Sequence, residues 1–374
     1  MSKPTAISLF SGMGGDTLGL TRAGFDVIAF NEYEKAAIET HMANFPESKL
    51  ICDPSQKKPK DRNDITKIPD AIFAEYKDKV DLIFAGHPCQ GFSQGGKKLP
   101  DDPRNTLFRE FSRVAKIVRP KFIIGENVDG LLSRKTANGE NYFDVIVKEF
   151  NDLGYDIYHQ VCHAVQYGIP QLRKRLVYVG VRNDLGKTFQ FPSGLNDGKT
   201  NLPGLRDIVS FSMEGAIQIE PADFDMSSIP PQCILTDMDN DESQDSNIHP
   251  YLTLKAKTRN SEYNGVVHNQ TLSFAKRASP IHAEIVDIRY PSKTIICTYD
   301  HQPRLFVPLR NLYGLFLRPF STNELKQIQG FPPHYLLLGN KKQQIKQIGN
   351  AVPPPLIHII ANKGILPLCE NHFY

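Results

Sequence analysis

The sequence predicts an α/β fold with a mostly parallel sheet, joined to a second, smaller and irregular β-rich region. In the first 182 residues, short apolar runs rich in β-branched residues alternate with stretches of helical periodicity. Such alternation is typical of a parallel sheet with right-handed crossover helices. From about residue 184 to 310 it gives way to Pro, Asn and Ser with short β-like runs, and it resumes at Ser321.

The composition is that of an ordinary soluble protein and excludes several classes. The chain has 374 residues, 40% hydrophobic and 23% charged, which is enough for two domains. No apolar run is long enough to span a membrane, and the N-terminus lacks the apolar core of a signal peptide. Six scattered cysteines without a C-x-x-C pair argue against a zinc site or a disulfide scaffold and for a reducing cytoplasm. A net charge of +3 does not by itself identify a nucleic-acid binder.

The first predicted unit is suited to a nucleotide-like ligand. A strand at 6–10 is followed by the glycine turn SGMGG at 11–15 and by a helix that begins near Asp16. Glycines let a ligand approach the backbone closely. The second strand, at 25–30, ends just before Glu32, which lies 20 residues after Gly12, the spacing at which an acid accepts ribose hydroxyls. The turn alone fits NAD equally well.

A thiol and a carboxyl follow two further predicted strands. The stretch GHPCQGFS at 86–93 comes directly after the apolar run 82–85, which places Cys89 at the carboxyl edge of the sheet. A second run, at 122–125, brings Glu126 to a comparable position. The two side chains form a candidate nucleophile and proton-handling pair, although a lone Pro-Cys is more often a buried cysteine. His87 flanks the cysteine and is expected to point elsewhere.

Later stretches add polar residues at strand and helix ends. Arg173 and Arg175 stand two apart before a strand at 176–181, so they point to one face and can act together. A helix is predicted over 105–118, and a capping box at 321–324 opens another. The chain closes with QIGNAVPPP at 347–355 and an amphipathic helix at 356–362.

Taken in order, six motifs resemble the DNA (cytosine-5) methyltransferase family, of bacterial restriction-modification or orphan type. They are FSGMGG at 10–15, NE at 31–32, GHPCQGFS at 86–93, ENV at 126–128, QLRKR at 171–175 and QIGNAVPP at 347–354. A weaker match, PSKTI at 291–295, resembles the threonine-apolar dipeptide near the end of the family's target-recognition domain. Two departures do not touch the chemistry: Ser8 stands where Asp is usual, and the polar segment 53–64 is longer than common.

The resemblance implies a Rossmann-like methyltransferase domain, at 1–183 and 319–374, and a target-recognition domain at 184–318. It implies S-adenosylmethionine as the cofactor. Glu32 suits the ribose, apolar side chains suit the adenine, and no basic cluster is present for a pyrophosphate. By position, the residues that would line the cofactor pocket are Phe10, Gly12, Met13, Gly14, Gly15, Glu32, Asp64, Ile65, Pro88, Leu107 and Asn350.

The resemblance also implies the catalytic roles. Cys89 would add to C6 of a cytosine flipped out of duplex DNA, and Glu126 would stabilise the charge at N3. Arg175 would hold the cytosine O2, and Arg173 the neighbouring backbone or the loop. The loop at 91–98 would be the lid. Residues expected to contact DNA are Gln94, Lys97, Lys255, Lys257, Arg259 and Thr294.

The charge distribution in the middle region predicts which half meets the DNA. From 207 to 254 there is no Lys or Arg among ten acidic residues, whereas from 255 onward basic residues predominate. Phosphates would repel the first half and attract the second. We therefore expect double-stranded DNA as a partner, contacted chiefly by 255–304. A separate cognate restriction endonuclease, no membrane, a monomeric state, a cytoplasmic location and a bacterial or phage origin complete the expectations.

Three alternatives stay open. The tRNA-methylating branch of the family carries Cys-Phe-Thr in the recognition region, whereas here Cys297 is preceded by Ile and followed by Thr. A catalytically inactive DNA-binding homologue is at odds with the intact motif residues. An NAD dehydrogenase would explain only the glycine turn.

Overall fold

A computed structural model describes most of the chain. The described residues are 2–88, 107–136, 138–219, 231–242, 284–300 and 305–369, with the backbone of four short strands between 252 and 274. Several of the predicted site residues lie outside them, namely Cys89, Gln94, Lys97, Lys255, Lys257 and Arg259.

The main sheet of the described part is mostly parallel, as predicted. Its seven strands are β1 (Thr5–Leu9), β2 (Asp26–Asn31), β3 (Lys49–Leu50), β4 (Leu82–Ala85), β5 (Phe122–Asn127), β6 (Tyr155–His163) and β7 (Lys174–Arg182). In the order β3-β2-β1-β4-β5-β7-β6, the first five strands are parallel and β7 runs antiparallel to both neighbours. The carboxyl ends of β1, β2, β4 and β5 therefore share one edge with the beginning of β7.

Helices cover both faces of this sheet, as a buried parallel sheet requires. Those of the described part are α1 (Gly15–Ala23), α2 (Lys35–Asn44), α3 (Pro59–Arg62), α4 (Asp70–Ala74), α5 (Phe108–Val118), α6 (Tyr142–Asp152), α7 (Thr322–Ile328), α8 (Lys341–Asn350), α9 (Pro354–Ile359) and α10 (Leu366–Cys369). Side chains alternate along β1, so Ile7 packs with α5 and α6 while Ala6 packs with α1 and α9.

A second sheet lies beside the first and is built from the irregular region. Its strands in the described part are β8 (Ile217–Ile219), β9 (Leu235–Thr236), β14 (Glu284–Ile285), β15 (Leu305–Asn311) and β16 (Gly314–Pro319). Between them, β10 (Leu252–Leu254) pairs with β13 (Leu272–Phe274), and β11 (Ser261–Tyr263) pairs with β12 (Val266–His268). The predicted domain limits of 184 and 318 stay predictions.

A third apolar core joins the second sheet to the end of the chain. It unites side chains of β15 and β16 with those of α7 and α8, including Phe316, Leu325 and Ile348. The predicted capping box is present at Ser321 and Glu324, which exchange hydrogen bonds at the start of α7. Within the part of the chain that the structure describes, no helix is both long and apolar enough to cross a bilayer.

Some element limits differ from the prediction. The helix expected from residue 105 begins, in the described part, at Phe108 and ends at Val118, and the next residue, Arg119, has a left-handed φ of 56°. The helix expected from Leu356 begins instead at Pro354, since proline suits the first turn. It continues as a π-helical segment, Ile360–Ile365, into α10. Glu126 and Asn127 lie inside β5, not after it.

Candidate active site

The glycine turn after β1 is packed directly against the last motif. Gly12 and Gly14 have φ values of 54° and 86°, which only glycine adopts readily. A Cβ at Gly15 would lie 2.1 Å from the Val352 carbonyl oxygen, so the first motif meets the last through a contact that excludes any side chain. Around Gly12 there is open space, since no atom of the described residues lies within 4 Å of the position of a Cβ.

Other predicted cofactor residues of this turn differ in exposure. Phe10 is half-buried and has a positive φ of 55°, which turns the chain out of β1. Met13 is fully buried in the third core, and its carbonyl oxygen accepts a hydrogen bond from the Tyr335 hydroxyl. Neither the side chain nor the carbonyl oxygen of Met13 is therefore exposed at the turn. The Ser11 hydroxyl is buried and has no hydrogen-bond partner among the described residues.

Glu32 ties the end of β2 to the glycine turn. Its Oε2 accepts from the Gly12 N–H at 2.8 Å, and its Oε1 accepts from the N–H groups of Tyr33 and Glu34, both at 2.8 Å. Burial raises the pKa of Glu32, while the three backbone donors act in the opposite direction. The carboxylate thus lies beside the turn, as the 20-residue spacing predicts.

The remaining predicted cofactor residues surround the same edge. Asn31 Nδ2 donates to the Asn63 carbonyl oxygen at 3.2 Å, which holds the chain before Asp64 and Ile65 beside β2. Asp64 caps the short 3-10 turn Ile65–Lys67 by accepting from Thr66 N–H at 3.1 Å, and Ile65 is buried. Of the other predicted residues, Pro88 and Leu107 are half-buried and Asn350 is exposed at the end of α8.

A buried carboxyl at the start of α1 was not predicted. Asp16 is 1% exposed and accepts a hydrogen bond from the Ser8 hydroxyl. Burial raises the pKa of Asp16 to about 7, against the effect of the Ser8 bond, and the charge of Glu126 adds to the rise. Ser8 was noted only as a departure from the family pattern. The only sign of this pair in the sequence is the position of Asp16, eight residues after Ser8.

Glu126 and Arg175 meet as a buried ion pair at the carboxyl edge. Glu126 lies opposite Val177 in the β5–β7 pairing, so the antiparallel β7 brings Arg175 to it. Arg175 Nε lies 2.7 Å from Glu126 Oε1, and the side chains are only 14% and 10% exposed. Burial lowers the pKa of Arg175, and the Glu126 carboxylate opposes this shift. Gly86, at the end of β4, is close: a Cβ there would be 3.8 Å from Glu126 Oε2.

Arg173 has different hydrogen-bond partners from Arg175. It is 2% exposed, and its guanidinium donates to the carbonyl oxygens of Gly349 and Ala351, both at 3.2 Å, and of Ile295 at 3.4 Å. The two arginines have different hydrogen-bond partners, but burial lowers the pKa of both and the charge of Glu126 opposes this shift in both, and that they act together stays a prediction. Arg173 holds the backbone at Ile295, Gly349 and Ala351, and the role implied for it by the resemblance stays a prediction.

A hydrogen-bonded junction surrounds Arg173. Gln171 Nε2 donates to Gln329 Oε1 at 2.6 Å, and Gln329 Nε2 donates to the Ala351 carbonyl oxygen at 2.6 Å. The backbone of Gln171 pairs with Ser292, and Thr294 Oγ1 donates to the Leu172 carbonyl oxygen at 3.0 Å. The half-buried Thr294, predicted to contact DNA, therefore bonds to the arginine segment in this structure.

His87 occupies a buried site behind the strand ends. It is 3% exposed and lies between Asn127 and Tyr178, to which its two ring nitrogens are hydrogen-bonded. Burial lowers the pKa of His87 to about 4. His87 thus points into the protein, and no sequence pattern indicates these partners.

The fold and the site define a Rossmann-like α/β enzyme. Its carboxyl edge brings together a glycine turn, the Glu32 carboxylate bonded to that turn and a buried carboxylate–guanidinium pair. Ligands of open α/β sheets bind at this edge. Among the residues that the structure describes, no group of three or more His, Cys, Asp or Glu side chains could hold a metal ion.

Comparison with known proteins gives the family. The family model of the C-5 cytosine-specific DNA methylases matches residues 5–365. The Type II methyltransferase M.FnuDI of Fusobacterium nucleatum is 33% identical over 361 residues, covering 96% of this chain and 93% of that protein. M1.HphI of Haemophilus parahaemolyticus, also a Type II methyltransferase, is 32% identical over 382 residues, covering 98% and 88%. The chain belongs to the C-5 cytosine-specific DNA methylase family, which confirms the predicted family and enzyme class.

Solved structures share the fold over nearly the whole chain. A DNMT2 variant of Spodoptera frugiperda has a TM-score of 0.62 at 17% identity, covering 98% of this chain and all of its own. The Dnmt2 methyltransferase of Schizosaccharomyces pombe has a TM-score of 0.61 at 16% identity, covering 98% and 99%. These similarities agree with the predicted Rossmann-like fold with a second β-rich part.

Proposed function

We propose that this protein transfers a methyl group from S-adenosylmethionine to C5 of a cytosine flipped out of duplex DNA, through a covalent Cys89–C6 intermediate. The observation that carries the proposal is the Glu126–Arg175 pair, with Nε and Oε1 2.7 Å apart, at the strand edge where the chain runs from Gly86 toward Cys89. Family membership indicates the reaction class. The Glu126–Arg175 pair offers groups that can stabilise the charge that develops on the cytosine during this reaction.

The chemistry explains why a thiol and this pair belong together. Cytosine C5 is too weak a nucleophile to take a methyl group unaided. When the Cys89 thiolate forms a bond to C6, the C5–C6 double bond opens and electron density moves toward C5, N3 and O2. Glu126 would stabilise N3 by a proton or hydrogen bond, and the Arg175 guanidinium would stabilise O2. After methylation, loss of the C5 proton, most simply to water, expels the Cys89 thiolate and restores the ring.

The residues at the glycine turn fit S-adenosylmethionine. Glu32 would accept ribose hydroxyls, and Phe10 and Ile65 would be the apolar side chains near the adenine. The open space at Gly12 leaves room for the ligand against the backbone, and the buried Ser11 hydroxyl lacks a hydrogen-bond partner among the described residues. When bound, the cofactor would supply an electrophilic methyl group on a sulfonium.

Duplex DNA is the proposed substrate, with the target base flipped at a cost of about a few kcal/mol. The acidic half of the middle region is compatible with a surface turned away from phosphates, because five of its six acids in the described part are exposed, namely Asp207, Glu214, Asp239, Asp241 and Glu242. A separate restriction endonuclease, a monomeric state and a cytoplasmic location belong to the same proposal.

Transfer of radiolabelled methyl groups from S-adenosylmethionine tests this function. We expect transfer to duplex DNA by the wild type, none by Cys89→Ala, and a loss of about two to four orders of magnitude in Glu126→Gln. Asp184→Asn is a matched control, since Asp184 Oδ1 lies 2.7 Å from Arg182 Nε at the end of β7, at the edge of the sheet opposite to Glu126. Its turnover should stay near that of the wild type.

Three results would contradict parts of the proposal. Transfer to tRNA but not to duplex DNA would assign the chain to the tRNA-methylating branch. Absence of transfer to any DNA, in protein that binds S-adenosylmethionine, would indicate an inactive homologue. Equal losses in Glu126→Gln and Asp184→Asn would show that the Glu126 carboxyl is merely structural.

A further inference from the structure

His87 lies two residues before Cys89 and is held by two strands of the main sheet. Its Nε2 is 3.0 Å from the Tyr178 hydroxyl on β7, and its Nδ1 is 3.2 Å from Asn127 Nδ2 on β5. The same Asn127 amide nitrogen donates to the His87 carbonyl oxygen at 3.1 Å. Both the ring and the backbone of His87 are therefore fixed relative to these strands.

The hydrogen bonds assign the tautomer of His87. Asn127 Oδ1 accepts from the Val128 N–H at 2.8 Å, which orients the amide so that its NH₂ group faces His87. Because this NH₂ can only donate, His87 Nδ1 must accept and carries no proton. The ring proton is then on Nε2 and points at the Tyr178 oxygen.

This arrangement excludes proton transfer by His87. A second ring proton would place the Nδ1–H against the Asn127 NH₂, two donors facing each other. Burial already lowers the pKa of His87 to about 4, so the ring is neutral at neutral pH. Whatever His87 contributes must come from its fixed position.

We infer that His87 is a positioning residue, which holds the backbone leading to Cys89 in register with Glu126 and Arg175. Asn127 directly follows Glu126, and Tyr178 is three residues after Arg175 on β7. The His87 imidazole thus connects the segment after β4, which leads to Cys89, with β5 and β7, which carry Glu126 and Arg175. The inference rests on the proposed role of Cys89.

The packing around Tyr178 fixes the position of its side chain. Tyr178 lies opposite Gly125 on β5, and a Cβ at Gly125 would come within 1.9 Å of Tyr178 Cζ. The ring crosses β5 only because residue 125 is glycine. Phe111, Phe143 and Phe150 surround it, with centroid distances from 5.8 to 6.4 Å. The hydroxyl is therefore delivered to His87 by a rigid support.

Two tyrosine variants test the inference on the full-length enzyme. Tyr178→Phe removes the hydroxyl and keeps the ring. Tyr155→Phe is the matched control, because the buried Tyr155 also loses one hydrogen bond, at 2.7 Å to the Pro120 carbonyl oxygen, at the opposite edge of the sheet. Single-turnover methyl transfer, KM for both substrates and the unfolding midpoint would be measured for each.

We expect Tyr178→Phe to lower the single-turnover rate about tenfold, since a small misplacement of reacting groups is costly, while KM for DNA and for S-adenosylmethionine changes less than about twofold. Tyr155→Phe should lose comparable stability and keep its rate. Equal rate losses in the two variants, or none in Tyr178→Phe, would overturn the inference, because the bond would then be only structural.

Substitutions of His87 itself provide a second readout. His87→Gln can still place a donor near Tyr178, whereas His87→Phe keeps the bulk and loses every ring hydrogen bond. The rate should be higher in His87→Gln than in His87→Phe, and a reversed order or a wild-type rate in both would contradict positioning. Failure of the proposed function is distinct, because the wild type itself would then transfer no methyl group.

Discussion

The buried Asp16 carboxyl should make the folded protein less stable as the pH rises. Asp16 is 1% exposed, beneath the glycine turn, and the Ser8 hydroxyl donates to its Oδ2. Burial raises its pKa from 3.8 to about 7, so the folded state holds this proton more tightly than the unfolded chain does. The substitution that tests this is Asp16→Asn, which keeps an acceptor for Ser8 but cannot ionise.

The direction and the size of this pH effect on stability follow from the raised pKa of Asp16. Below pH 4 the carboxyl is protonated in both states, and its contribution to stability is fully present. As the pH rises through about 7, the unfolded chain has already lost the proton, and the folded protein must either keep it or bury a charge. With about 1.4 kcal/mol for each unit, a shift of roughly three units corresponds to about 4 kcal/mol at most.

Urea unfolding of the wild type and of Asp16→Asn at pH 5 and pH 8 measures the effect. The free energy of unfolding of the variant, relative to the wild type, should be higher at pH 8 than at pH 5, by up to about 3 kcal/mol, because the range from pH 5 to the pKa of about 7 covers roughly two pH units at about 1.4 kcal/mol each. The difference between the two proteins removes the contributions of all other titrating groups. If that difference is the same at both pH values, Asp16 does not titrate in the folded protein as reasoned here.

Two further predictions concern buried charge and DNA binding. Glu324→Gln should lower the free energy of unfolding by about 3–5 kcal/mol, because it leaves Arg318 buried without its anionic partner. Glu39→Gln breaks an exposed pair and should lower it by under about 1 kcal/mol. Denaturant unfolding compares the two variants, and similar losses would contradict this prediction. Neutralising Lys255, Lys257 and Arg259 should weaken DNA binding and flatten its salt dependence, and neutralising Asp239, Asp241 and Glu242 should do neither. Measurements of DNA affinity at increasing salt concentration check this. If the basic and the acidic substitutions behave alike, the charge distribution of the middle region does not indicate which half meets the DNA.

The parts of the site that were predictable are those that follow a strand. Apolar runs predicted β1, β2, β4 and β5, and the parallel pairing then required Gly12, Glu32 and Glu126 to share one edge. The spacing from Gly12 to Glu32 predicted an acid near the turn, and the two are hydrogen-bonded at 2.8 Å. Here local sequence is sufficient, because the carboxyl ends of parallel strands converge whatever the rest of the chain does.

The unpredictable parts depend on partners that are distant in sequence. Alternation along a strand placed Arg173 and Arg175 on one face, but Arg173 is taken up by carbonyl oxygens of Ile295, Gly349 and Ala351, more than a hundred residues away. The bonds of His87 to Asn127 and Tyr178 likewise require the pairing of β5 with the antiparallel β7. Such contacts are set by tertiary packing and leave no periodic signal.

Covalent trapping tests the central claim most directly. Duplex DNA carrying 5-fluorocytosine should capture the enzyme in the presence of S-adenosylmethionine, because fluorine cannot leave C5 as a proton does. We predict a denaturation-resistant adduct whose peptide maps to Cys89, which is absent in Cys89→Ala and is retained in Cys297→Ala. An adduct mapped to Cys297 or to any other cysteine, or one that persists in Cys89→Ala, would contradict the account.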